Sequence, residues 1–93
     1  MFKISDNKGF QITFDNGYTV SVQFGPGNYG SNRTETYATS MNVPQTASLA
    51  ETALIGPDGE FVKYDGDDVQ GYRNPAEVLE LLSYAASIVV ERD

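Results

Sequence analysis

The stretch Phe10-Gln11-Ile12-Thr13-Phe14-Asp15-Asn16-Gly17-Tyr18-Thr19-Val20-Ser21-Val22-Gln23-Phe24 alternates apolar and polar residues on both sides of an Asp-Asn-Gly break. Successive side chains of a strand point to opposite faces, so this period of two predicts half-buried antiparallel strands. Directly opposed residues of an antiparallel pair share a face, and Phe14 can lie beside Tyr18 only across an odd-numbered loop. A tight Asn16-Gly17 turn would instead oppose Phe14 to Thr19 and expose one apolar set to water. The pattern therefore predicts the loop Asp15-Asn16-Gly17, with Gly17 left-handed at a bulge. It pairs Phe14 with Tyr18, Ile12 with Val20 and Phe10 with Val22.

The same reasoning extends outward. Phe2 and Ile4 share a face, and Ile4 is linked to Phe10 across Asp6-Asn7-Lys8-Gly9. Order returns at Ser48 to Ile55 and at Glu60 to Tyr64, joined by Gly56-Pro57-Asp58-Gly59. Proline presets the first turn position and glycine takes the left-handed one, which predicts a second hairpin opposing Ile55 to Phe61 and Leu54 to Val62. Asp65-Gly66-Asp67-Asp68 reads as a break, and Val69-Gln70-Gly71-Tyr72 as a short connection. Asn74-Pro75-Ala76-Glu77 then has the form of a helix start with a capping box. Val78, Leu81, Leu82, Ala85, Ala86 and Val89 repeat at three and four, edged by Leu79 and Ile88, so a helix to about residue 90 should cover one face of the sheet. The expected fold is α+β: one domain over residues 1–93, a small antiparallel sheet of four to five strands, and one C-terminal helix.

Composition excludes much chemistry. The chain of 93 residues has no His, Cys or Trp, and six Lys and Arg against thirteen Asp and Glu give a net charge of −7. Disulfides, thiolate metal sites, Cys nucleophiles and His bases are all ruled out. The cations Lys3, Lys8, Arg33, Lys63, Arg73 and Arg92 form no stripe. Duplex nucleic acid and anionic membrane surfaces are therefore not expected partners. No apolar run is long enough to span a bilayer, and Met1-Phe2-Lys3-Ile4-Ser5-Asp6 lacks an apolar signal segment, so a cytoplasmic location is expected.

Between Gly25 and Gln45 the alternation dissolves, with only Tyr37, Met41 and Val43 as anchors and a short edge strand conceivable near Glu35 to Thr39. A connection this long implies a functional or a partly mobile segment. Gly25-x-Gly27-x-x-Gly30 matches the dinucleotide fingerprint by letter, but no helical spacing follows it to aim amides at a pyrophosphate. It reads better as an exposed Gly-rich loop that lets another surface approach closely. Within it Asn28, Tyr29, Asn32 and Arg33 offer amides, an amphipathic ring and a cation, and are the expected partner-binding residues. The Asp65 to Asp68 carboxylates lack the alternate spacing of a calcium loop and read as a solvated turn. The sequon Asn32-Arg33-Thr34 reads as chance. A Glu51–Asp65 carboxylate pair has no spacing that supports acid–base work. No catalytic residue, metal or cofactor is expected.

The run Gly9 to Tyr29, with Ala50 to Ile55, Asp58-Gly59, and Val69-Gln70-Gly71-Tyr72 leading into Glu77-Val78, resembles a widespread family of small bacteriophage proteins. Members of that family often carry Cys after Gly-Asn-Tyr, where this chain has Gly30, and Trp near the positions of Phe61 and Tyr72. The resemblance implies an accessory protein made in the infected cell, and it carries over no catalytic or binding residue. The leading expectation is a non-enzymatic binding protein that engages a host protein, such as a component of host defence, through loop 25–33. A second reading is a homo-oligomer that sequesters a small nucleotide signal by combining Arg33, Lys63 or Arg73 from several chains. A minor virion component is a third.

Overall fold

The computed structural model describes residues 1–4, 9–24 and 48–89. They form strands β1 (Phe2–Ile4), β2 (Gly9–Thr13), β3 (Thr19–Gln23), β4 (Ala50–Ile55), β5 (Phe61–Val62) and β6 (Val69–Arg73), then helix α1 (Pro75–Ser87). The sheet runs β1-β2-β3-β4-β5, with β6 also on β4, and every pairing is antiparallel. This is a small α+β fold.

The parity argument holds. Phe10 opposes Val22 and Ile12 opposes Val20. Phe14 N–H donates to Tyr18 O at 2.9 Å, Gly17 N–H donates to Phe14 O at 2.9 Å, and Gly17 has φ 88°. Ile4 opposes Phe10, Leu54 opposes Val62 and Ile55 opposes Phe61, as expected.

The Val69–Tyr72 connection is corrected: Val69–Arg73 is a sixth strand. Two features hide it in the sequence. Ala53 opposes Val69 directly after Leu54 opposes Val62, so residues 63–68 leave the sheet as a finger between consecutive pairs. Gly71 and Tyr72 then form a bulge between the Thr52–Gln70 and Ala50–Arg73 pairs, with Tyr72 at φ 56°, and this breaks the alternation. The finger closes in a tight turn. Tyr64 and Asp67 exchange backbone bonds of 2.9 and 3.2 Å, while Asp65 and Gly66 take φ of 56° and 89°. Left-handed residues at both central positions are what a primed turn requires.

Buried Gln70 fastens the base of the finger. Its amide donates to the carbonyls of Tyr64 at 3.1 Å and Asp67 at 2.8 Å, and its oxygen accepts from Thr52 Oγ1 at 3.1 Å. The finger and the bulge interrupt one edge of the sheet, and the other edge is the short β1 with exposed Lys3. Both devices discourage edge-to-edge pairing.

The helix start is as read. Asn74 caps Glu77 N–H, and the Glu77 carboxylate accepts from Asn74 N–H. Its end differs, because α1 stops at Ser87. Asn16, at the β2–β3 loop, donates its side-chain amide to Ala85 O at 2.7 Å and Ile88 O at 3.0 Å. Those carbonyls belong to the last turn and the cap, where i→i−4 partners run out; Ala85 O takes only a long 3.4 Å bond from Ile88 N–H, and the loop supplies a second donor from across the fold. Past that cap Val89 lies outside the helix and is exposed, and Ala86 and Leu79 also face solvent, so the apolar stripe is narrower than expected. Leu81 and Ala85 bury against Val20, Val22, Ala50 and Leu54 to make the core.

Candidate functional site

Asn28, Tyr29, Asn32 and Arg33 lie outside the described residues, as do the Gly25–Gly30 pattern, the sequon and the edge strand near 35–39. Helix α1 and the sheet, however, leave an apolar groove of about 260 Å³ at the end of the fold where β3 finishes and β4 begins.

The groove follows from how the helix is seated. Leu81 and Ala85, one turn apart on α1, are fully buried. On the adjoining row of the helix Val78 and Leu82, also one turn apart, are only partly buried, and Leu79 is 63% exposed. On the sheet side the floor is Phe10, Val22, Phe24 and Ala50; on the helix side the wall is Pro75, Val78, Leu79 and Leu82. Ala50 matters here, because its small side chain sits where a longer one would fill the space. The lining is almost wholly apolar. Sequence reading assigns these side chains to the core. The only signals for a groove are the small residue at position 50 and the excess of apolar residues at the start of α1.

Arg73 lines one end. Its guanidinium is held 3.1 Å from the Asp65 carboxylate and 3.1 Å from that of Glu77, which joins the finger to the first turn of α1. A cation engaged by two carboxylates is poorly placed to meet a phosphate, and Arg73 is one of the residues that the nucleotide reading needs. Asp65 is thus paired with Arg73, and the sheet face of Glu51 is opposite to the one on which Arg73 lies. The solvated turn expected at Asp65 to Asp68 is the exposed tip of the finger. Among the described residues no cluster of three or more acidic side chains could hold a metal ion, and no helix is long and apolar enough to cross a membrane.

The opposite face of the sheet carries a second group of apolar residues. Ile55 lies opposite Phe61 and Ala53 opposite Val69, with Phe61 and Val69 both exposed. It is flanked by the Thr13–Thr19 hydroxyl pair at 2.8 Å and by Ser21, whose Oγ lies 3.1 Å from Gln23 Nε2. Compared with protein-family models, curated proteins and solved structures, the chain matches none.

Proposed function

We propose that the chain is a non-catalytic binding protein whose groove between α1 and the β2–β3–β4 surface takes an apolar side chain from a protein partner. The observation that carries the reading is an open apolar concavity on a chain of net charge −7, with an exposed leucine, Leu79, at its lip. Burying one large aliphatic or aromatic side chain contributes about 1.5–3 kcal/mol, enough for a recognition anchor in a larger contact. The likeness of residues 9–29 to small bacteriophage proteins supports a partner of host origin.

Site-specific photo-cross-linking tests this. A photoreactive amino acid replaces either Leu79, at the groove, or Glu60, in the hairpin turn at the other end of β4. Each protein is irradiated in bacterial lysate. A defined protein adduct from position 79 and not from position 60 is the expected result. The same adducts from both positions, or none from position 79, would reject the groove as the contact surface.

A further inference from the structure

Resting on that reading of the groove, we propose that its occupant is a basic polypeptide segment, in which apolar residues are flanked by Lys or Arg. The argument comes from charge around an apolar site. Among the described residues Arg73 is the one cation lining the groove, and it is outnumbered by its own partners, Asp65 and Glu77. Its two terminal nitrogens are each held 3.1 Å from a carboxylate, Nη2 by Asp65 and Nη1 by Glu77. An apolar ligand with an anionic head, such as a fatty acid, would meet those two carboxylates beside the single cation.

The segment from Lys63 to Glu80, which builds the finger, the Arg73 end of the groove and the start of α1, contains two cations against five carboxylates. Of these, Asp65, Asp67 and Asp68 stand exposed on the finger, and Glu80 is exposed on α1 beside Leu79. A partner side chain entering the groove therefore brings its neighbours against acid. Lys and Arg can lay apolar stems along the lip while their heads meet those carboxylates. Such complementarity raises the association rate and selects among partners.

Fluorescence anisotropy with labelled synthetic peptides tests the proposal. The probes share leucines at helical spacing and differ only in their polar positions, which are all Lys, all Gln or all Glu. The protein is used as wild type, Leu79→Ser and Glu80→Lys, with far-UV circular dichroism and Tm confirming that each variant folds. Both changed residues are exposed. The Leu/Lys peptide is expected to bind best and more weakly as salt rises. Its affinity should fall about tenfold in Leu79→Ser and about threefold in Glu80→Lys, as for one lost anchor and one lost rim charge. If the Gln or Glu peptide binds as tightly as the Lys peptide and Leu79→Ser still weakens it, the basic class is overturned while the groove reading stands. If the Lys peptide binds but Leu79→Ser leaves its affinity unchanged, the contact is charge alone and both readings fall. Absence of binding by the Lys peptide at low salt overturns the proposal.

Discussion

Replacing Asn16 by Ala removes a side chain that joins the two ends of the chain. The Asn16 amide donates to Ala85 O at 2.7 Å and Ile88 O at 3.0 Å, and its oxygen accepts from Tyr18 N–H at 3.0 Å. All three contacts are satisfied in only one orientation of the amide, because the reverse would set oxygen against carbonyl oxygen. Each intramolecular hydrogen bond contributes roughly 0.5–1.5 kcal/mol net. The site is partly exposed, so water can repair part of the loss, and a total of about 2–3 kcal/mol is expected for Asn16→Ala. For a domain whose stability is of order 5–10 kcal/mol, that is a large fraction. At about 4–8 °C per kcal/mol, Tm should fall by roughly 8–24 °C. Urea unfolding followed by tyrosine fluorescence and far-UV circular dichroism measures it, with the midpoint lowered and the slope unchanged. Asn16→Asp is the discriminating partner. It keeps the acceptor for Tyr18 but turns a carboxylate toward two carbonyls at the negative end of the helix dipole. At neutral pH it should be no more stable than Asn16→Ala. A loss below about 0.5 kcal/mol for the alanine variant, or a more stable aspartate variant, would refute the tertiary cap.

Two further substitutions test the turns and the finger by the same unfolding assay. Gly17→Ala and Gly66→Ala both place a Cβ at left-handed φ, 88° and 89°, but a Cβ at 17 meets Pro57 at 3.1 Å while at 66 nothing lies within 4 Å. Gly66→Ala should cost about 1 kcal/mol and Gly17→Ala measurably more; equal losses would show that the Pro57 contact relaxes freely. Gln70→Leu leaves the buried Thr52 hydroxyl without its acceptor and removes two bonds to the Tyr64 and Asp67 carbonyls, which keep their mutual backbone bonds, so a loss of about 1–3 kcal/mol is expected. A double-mutant cycle with Thr52→Val should return a coupling of about 0.5–1 kcal/mol, and a coupling of zero would remove Thr52 from the network.

Local chemistry made much of the fold legible. Alternation from Phe10 to Phe24 with the parity of the Asp15-Asn16-Gly17 loop set the register of β2 on β3, because a slip by one residue would have exposed every apolar side chain of a strand. Pro57 and Gly59 marked the second hairpin, and Asn74-Pro75-Ala76-Glu77 marked the helix start, since each depends on bonds made within a few residues. Strand β6 was hidden because its pairing with β4 is made around the 63–68 finger and through a left-handed Tyr72, and neither leaves a period to read.

The helix end and the groove depend on longer reach. No glycine or proline follows Ser87 in the chain to mark the end of α1; the carbonyls at that end are met by Asn16, 69 residues away from Ala85. Leu79, Val78 and Leu82 differ little from Leu81 by sequence, yet Leu81 is sealed in the core and the others frame a concavity. A side chain's type is a local property, whereas the space left beside it depends on where a clamped helix meets a sheet floored by Ala50, and that is settled only when the distant elements pack.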